Sequence, residues 1–567
     1  MNTCLLAGAM LLCVLIGGAA RGAELSSTKP KTYPVLLGVN LAGDYHMMNG
    51  GKWGYEYEPF FRALAELGVE FVDLNFLIED YLKPIHWSND RVLAQLGEID
   101  ARMRAHGIRY VLNNELSNWV ERLEITPGVN EFSHADGTHR WDLRMEWLEA
   151  LLPPRAKAPP ALIGVNYDEA DHMILSNNMF STPDNKFDVP YLVDTTGMPL
   201  DAAFDKLVGK LRSLREAHYK NRLPLGAEFG FPDMFHIYAA AGWAIAPKLL
   251  KENVSVVSAC AGLGAALQYA DRGTDLWFCN DLWNQALYPG HSPAELRSAL
   301  TLGYWLGASR IYVESLDYHG KEPRHSQASA AGSLLDWRDA EHCELTNHGK
   351  IVRDFYKDYV PRHPRDFSWR DYRPRVAIVR LPDGCWGQKG TWYRDRLLGN
   401  RQHPEDAISE EWLHVWPILT HGKVVGGAIC SQNHALYPTG VKDFFMPIDS
   451  VAVFDHQVKG PVLDSVECFI VCGQALSKET FEAVRARVRR GATCIIARRL
   501  FVQYVKADEK PRGDWLVVDR FTDPAIAKKL QPFLGPADVM RFRFKDRTLE
   551  FRAPAATDTI AASTHRN

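Results

Sequence analysis

Polar and apolar positions along this chain fall into a repeating beat. A run of strand length, apolar on both faces, stops abruptly in polar residues, and a longer amphipathic stretch follows before the next run. The strand-length runs are residues 35–41, 69–76, 108–112, the opening of 161–173, 224–229, 254–259, 274–279 and 310–313. Helical spacing occupies 59–67, closed by Gly68, 92–105, stopped at Gly107, then 143–152, 204–216 and 296–306, the last broken at Gly303. Residues 120–142 show little period and look like an insertion. Strands without a polar face belong in a buried parallel sheet. Eight of them alternating with helices predict a (β/α)8 TIM barrel with long loops after the strands. An open doubly wound sheet would show a Gly-rich first turn, and Gly38-Val39-Asn40 is not one.

From Tyr372 the beat changes to a smaller α/β unit. Strands are predicted at 375–380, 450–454, 468–471 and 492–497, with helices at 412–419 and 478–489. Residues 541–552 alternate like an edge strand pair, and the Ala/Thr-rich tail from Ala553 is expected to be disordered. The expected layout is a signal peptide at 1–23, a catalytic barrel at 33–365, an α/β domain at 372–510 and a β-rich extension with a disordered tail at 511–567.

The chain has 567 residues, enough for two or three domains, and its 46% hydrophobic and 24% charged content is ordinary for globular proteins. A net charge of −4 points to neither nucleic acid nor an anionic membrane surface as partner. At the N-terminus an apolar stretch from Leu5 to Ile16 precedes Gly17, Gly18, Ala19 and Ala20, which reads as a secretory signal without the usual positive n-region. It is too short for a permanent anchor, so a secreted or periplasmic protein with no membrane span in the mature chain is expected. Of ten cysteines, Cys4 and Cys13 fall in that segment, and the others lack metal-ligand spacing. No metal and no cofactor are expected. Disulfide pairing and oligomeric state are open.

The candidate chemistry sits where the runs stop. Asn166, Tyr167, Asp168, Glu169, Asp171 and His172 follow the fourth, and Asp44 with His46 the first. Glu115 follows the third, the fifth carries Glu228 and is followed by Asp233 and His236, Asp281 with Trp283 follow the seventh, and Glu314 with Tyr318 the eighth. Barrel chemistry is built at this end of the strands. Cleavage of a glycosidic bond needs one protonated and one ionised carboxyl group, and neighbouring carboxylates push one pKa up. Glu169 is therefore the expected proton donor, with Asp281 or Glu314 as its partner. Asp44, His46, Glu115, Asn166, Tyr167, Glu228, Asp233, Trp283 and Tyr318 are the expected substrate contacts. The plainer reading makes Asp168 and Glu169 helix caps and the aromatic residues core packing.

The stretch Ile163-Gly-Val-Asn-Tyr-Asp-Glu169 resembles the fourth-strand motif of glycoside hydrolase family 98, whose Asn-Tyr-x-Glu carries the general acid. Cys279-Asn-Asp281 and the segment Ala299 to Glu314 are similar in layout to the later strands of that family and of the family 42 β-galactosidases. The unit around Cys468-Phe-Ile-Val-Cys-Gly resembles the amidotransferase-like domain appended to family 42 barrels. The resemblance implies a glycoside hydrolase acting on a carbohydrate, with a galactoside-like substrate favoured. Family 42 would place a Glu nucleophile after the seventh strand, where this chain has Asn280-Asp281, so inversion with a carboxylate base is the expectation. No Gly-x-Cys-x-Gly elbow is present, and no amidotransferase activity is expected. The alternative is a catalytically silent barrel that binds glycan or a protein partner.

Overall fold

The computed structural model describes residues 32–41, 58–75, 89–113, 132–133, 139–140, 145–152, 160–171, 174, 192–218, 220, 222–230, 233–250, 253–282, 291–314, 333–337, 343–382, 396–400, 402–425, 444–509, 511–552 and 560–566. The expected signal segment and most of the insertion at 120–142 lie outside them.

The first unit runs β1 (Leu36–Leu41), α1 (Glu58–Leu67), β2 (Phe71–Asn75), α2 (Asn89–Ala105), β3 (Arg109–Asn113), α3 (Met145–Leu151), β4 (Leu162–Tyr167), α4 (Leu200–His218) and β5 (Leu225–Phe229). It continues through α5 (Phe235–Ala240), β6 (Ala244–Leu249), α6 (Ser255–Gln268), β7 (Trp277–Asp281), α7 (Pro293–Trp305) and β8 (Arg310–Glu314). The eight strands are parallel and close on themselves, because β1 pairs with β2 on one side and with β8 on the other. An open sheet is thereby excluded, and the fold is the (β/α)8 barrel that the pattern predicted.

Side chains of a strand alternate between two faces, so every second residue enters the barrel. At the lower end these are Phe71, Val111, Ala244, Ala246, Trp277, Cys279 and Tyr312, which form a buried cluster of their own. Gly226 makes room for it, since a Cβ there would stand 2.2 Å from the Trp277 ring. The Arg310 guanidinium lies 4.2 Å from the centre of the same ring. One pleat higher the inward residues turn polar: Asn40, Asp73, Asn113, Asn166, Glu228 and Lys248, all buried. The outward residues join a second core with the helices.

Two local expectations fail. The sixth strand is Ala244–Leu249, and residues 254–259 open helix α6 instead. The run looked strand-like because it has no polar face. That face is missing because α6 is covered on both sides: Gly262 would meet Pro247 of β6, and Gly264 would meet the Val453 carbonyl of the next domain, in each case within 2.6 Å of an added Cβ. A helix buried all round carries no amphipathic signal. The true sixth strand was masked by Pro247, a residue that argues against a strand interior. Helix α7 also runs unbroken through Gly303, where the missing side chain lets the helix approach Phe278. Its start is fixed by Ser292 and Glu295, which exchange bonds as a capping box with Pro293 at the first helical position.

The second unit holds β9 (Val376–Arg380), β10 (Val451–Asp455), β11 (Cys468–Val471), β12 (Thr493–Ala497) and β13 (Asp514–Val518). All five are parallel, in the order β10-β9-β11-β12-β13, a doubly wound arrangement. Asp455 at the end of β10 accepts from Gln268 Nε2 and the Tyr269 hydroxyl, each at 2.5 Å, and so ties this sheet to α6. A three-stranded antiparallel sheet follows: β14 (Val539–Phe544), β15 (Arg547–Arg552) and β16 (Ala561–Arg566). β16 corrects the expectation of a disordered tail. Its composition is that of a tail, but the open edge of β15 satisfies its backbone groups. The six cysteines among the described residues, Cys260, Cys279, Cys343, Cys468, Cys472 and Cys494, are thiols.

Gly264→Ala is expected to destabilise the chain by about 2 kcal/mol or more, because an added Cβ would stand 1.7 Å from the backbone oxygen of Val453. Gly209→Ala in α4, where nothing lies within 4 Å, should be neutral or stabilising by up to about 1 kcal/mol. Paired thermal melts check both.

Candidate active site

Alternation along β6 carries Ala244, Ala246 and then Lys248 inward, and Lys248 is the side chain around which the barrel mouth is arranged. Its ammonium lies 2.9 Å from Asp168 Oδ1, 3.0 Å from Glu228 Oε1, 2.9 Å from Glu314 Oε2 and 4.0 Å from Asp281 Oδ2. These carboxylates come from the ends of β4, β5, β8 and β7. Strands β4 and β8 stand on opposite sides of the closed barrel, so a nitrogen touching both sits near the axis. Side-chain exposure rises from nothing at Glu228 to 14% at Glu314, which places Glu314 nearest the open side of the cluster.

A second layer holds the first. Asn166 Nδ2 donates to Asp73 Oδ2 and Glu228 Oε2, both at 2.8 Å, with the Tyr312 hydroxyl at 3.2 Å. Tyr312 also donates to Glu228. Glu228 is thus held by an amide, a phenol and an ammonium inside a closed barrel. Asn40 Nδ2 reaches Asp73 Oδ2 at 3.4 Å, and Cys279 Sγ donates to Glu314 Oε2 at 3.5 Å.

The electrostatics follow from four carboxylates sharing one ammonium in a buried site. Burial raises the Glu314 carboxyl to about 8, reinforced by the Asp281 charge and opposed by Lys248. Burial raises Asp168 to about 6, with Lys248 opposing and Glu228 adding to the rise. Burial and the Glu228 charge push Asp73 well above the usual carboxylate range. For Lys248 burial works to lower the pKa, but Asp168, Glu314, Glu228 and Asp281 outweigh it and hold the ammonium firmly protonated. At neutral pH the mouth therefore contains a carboxyl group that keeps its proton beside one that has largely lost it.

Glu228, Cys279 and Glu314 offer donor atoms within 4.8 Å of one another, a spacing that a metal ion would suit. The Lys248 ammonium already touches both carboxylates of that trio. Burial, with the Glu228 and Glu314 charges, also pushes the Cys279 thiol well up, which keeps it neutral. The trio does not fit a metal ion.

Of the residues expected at the site, the structure brings Asn166, Glu228, Asp281 and Glu314 together. Glu169 follows Asp168 with a left-handed backbone, φ 45°, and is half-buried. The β4 carboxylate that reaches Lys248 is Asp168, and Glu169 is not among the ammonium's partners. Tyr167 faces outward: it is fully buried in the outer core, edge-on to Trp243 at 4.9 Å. Asp233 is buried just before α5. His236 meets the Val453 carbonyl at 2.9 Å, at the contact with the second domain rather than in the mouth. Asp44, His46, Glu115, Trp283 and Tyr318 lie outside the described residues. Lys248 and Asp73 went unnoticed in the sequence. Misplacing the sixth strand hid the lysine, and Asp73 lies inside an apolar run where only inward–outward alternation marks it.

No protein-family model matches the chain, and no curated protein matches it. Solved structures with a similar layout include the exo-β-1,4-mannosidase Op5Man5 from Opitutaceae bacterium strain TAV5, at 13% identity over 82% of this chain and 77% of that one, TM-score 0.41. Gan42B, a GH42 β-galactosidase from G. stearothermophilus, is 10% identical over 95% of this chain and 82% of its own, TM-score 0.43. A GH5_18 protein from Streptomyces cattleya in complex with GlcNAc is 14% identical over 75% and 99%, TM-score 0.39. The barrel assignment itself rests on the strand pairing described above.

Lys248→Met is expected to destabilise the fold by about 3–5 kcal/mol, since it leaves buried carboxylates without their cation. Glu314 titrates near 8 when folded against a usual 4.5, so the native state holds the extra proton between those values. Its contribution to stability is full below pH 4.5 and is lost as pH rises through 8. The loss should be steeper in Lys248→Met than in the parent, as urea unfolding at pH 5 and pH 8 would show.

Proposed function

We propose that the barrel is a glycoside hydrolase and that Glu314 is its proton donor. The observation that carries this reading is the meeting of carboxylates from strands on opposite sides of the barrel at one buried ammonium. Two such groups with pKa values driven apart form the acid/base arrangement that glycosidic cleavage requires. Glu314, held protonated, donates to the leaving oxygen. Asp168, ionised at neutral pH beside Lys248, or its neighbour Asp281 acts on the anomeric carbon or on water.

The expected inversion is revised in this proposal. Asp168 Oδ1 and Glu314 Oε2 each lie 2.9 Å from the same nitrogen, so they cannot be more than twice that distance apart. For that pair this is shorter than the ~6.5–9.5 Å separation that admits a water for inversion, and it favours retention with Asp168 as the nucleophile. Glu169 remains the alternative donor on the family 98-like motif. The galactoside-like substrate rests on the family 42-like layout, and export rests on the apolar N-terminal stretch.

One observation favours a silent binding barrel instead. The Lys248 nitrogen occupies the space between Asp168 and Glu314, where a scissile bond would lie unless it sits above the ammonium.

A panel of defined oligosaccharides, with anomer-resolved NMR of the first product, separates the two readings. For a hydrolase, Glu314→Gln should cut kcat by about 10²–10⁴-fold with the fold intact, and Glu169→Gln should act mainly on KM. A loss of kcat in Glu169→Gln alone would return the donor role to that residue. The kcat/KM profile of the parent should be bell-shaped, with limbs near pH 6 and pH 8, the values at which Asp168 and Glu314 titrate. Binding without turnover across the panel would establish the silent barrel.

A further inference from the structure

Far from the mouth, where the chain leaves the barrel, a cavity of about 240 Å³ is lined by Thr32, Arg365, Asp366, Arg547, Thr564 and Arg566, with Pro364. Arg365 is only 2% exposed. Its terminal nitrogens donate to the Tyr304 and Ala308 carbonyls, and its Nε has no partner. Among the described residues no carboxylate lies within 4 Å of its guanidinium, and its neighbour Asp366 pairs with Arg547 instead. Burial lowers its pKa to about 10 with only the Tyr304 ring group working against the fall. A buried cation without a counter-charge is costly, and structures rarely keep one without a use.

A second observation points the same way. Arg547 on β15 and Arg566 on β16 are direct cross-strand partners. Like charges directly opposite each other on a strand pair are destabilising. Arg547 is paired with Asp366 and Asp546, while Arg566 makes no ion pair within 4 Å among the described residues and feels the Asp546 charge only at longer range. A buried guanidinium without a counter-charge, an exposed one that shares Asp546 with Arg547, and two hydroxyls, from Thr32 and Thr564, therefore line one cleft.

We propose that this cleft binds a tetrahedral oxyanion, sulfate or phosphate, held by the guanidinium of Arg566 and the two threonine hydroxyls, with the buried charge of Arg365 beneath it. Arginine forks and hydroxyls are the groups that recognise such oxygens. The anion supplies the charge that Arg365 lacks and relieves the Arg547–Arg566 juxtaposition, so it fastens the last strand to the barrel exit. The oxyanion is either free or an ester group on a glycan.

The test is calorimetric titration of the full chain with sodium sulfate and sodium phosphate, and separately with a sulfated oligosaccharide. Thermal melts against sodium chloride at equal ionic strength accompany it. Saturable binding is expected, with a rise in Tm beyond the chloride control. Arg566→Gln, an exposed change that leaves the core untouched, should weaken binding about tenfold, and Arg365→Gln should abolish it. Tighter binding of the sulfated oligosaccharide than of sulfate assigns the ester as the natural source, and equal or weaker binding assigns the free ion. A sulfate response no larger than that to chloride, or one unchanged in Arg566→Gln, overturns the proposal.

Discussion

A single ammonium group near the barrel axis holds the rest of the mouth in place. Four carboxylates from four strands surround Lys248, and their charges exceed its own. Water cannot screen them there, so the excess negative charge must be reduced by retaining protons. That constraint explains why Glu314 keeps its proton into the neutral range while Lys248 never loses its own. It also makes the upper ends of β4 to β8 interdependent, because each contributes a charge that the others need.

The dry floor beneath matters as much. Phe71, Val111, Ala246 and Trp277 fill the barrel below the charges, and Arg310 spans the Trp277 ring. Tyr312 and Cys279 sit at the boundary and turn their polar atoms upward, onto Glu228 and Glu314. The site is thus a polar lid on an apolar plug, which strengthens every charge interaction above it. Helix α6 links this arrangement to the second domain. It presses one glycine on β6 and another on β10, and Gln268 and Tyr269 grip Asp455. The strand bearing Lys248 is therefore backed by the same helix that carries the neighbouring sheet. In the second domain the Cys472 thiol, just past β11, is pushed upward by burial and lies against the Val379 carbonyl.

Much of this was legible in the order of residues. Seven of the eight barrel strands could be found because a short run apolar on both faces has few folds open to it. Asp281 and Glu314 could be named because they follow such runs, and Glu228 because it is the charged residue inside one. Two kinds of position resisted. Residues 254–259 and Ala244–Leu249 exchanged identities, since a helix buried on all sides and a strand containing proline both lack their usual periodic mark. Asp168 and Glu169, adjacent and chemically alike, could not be ranked by pattern alone.

The chain's own order of apolar and polar residues determined that strands and helices alternate, that a barrel is their economical closure and that acids crowd one end of it. Periodicity is a local property, and it survives in the sequence unaided. Only the folded molecule decided that β8 closes against β1, that Asp168 rather than Glu169 reaches the axis and that Tyr167 faces away from it. It alone decided that one lysine is shared by acids brought from positions 168, 228, 281 and 314. Charge pairing depends on distance through space, and distance through space is what a linear order of residues does not carry.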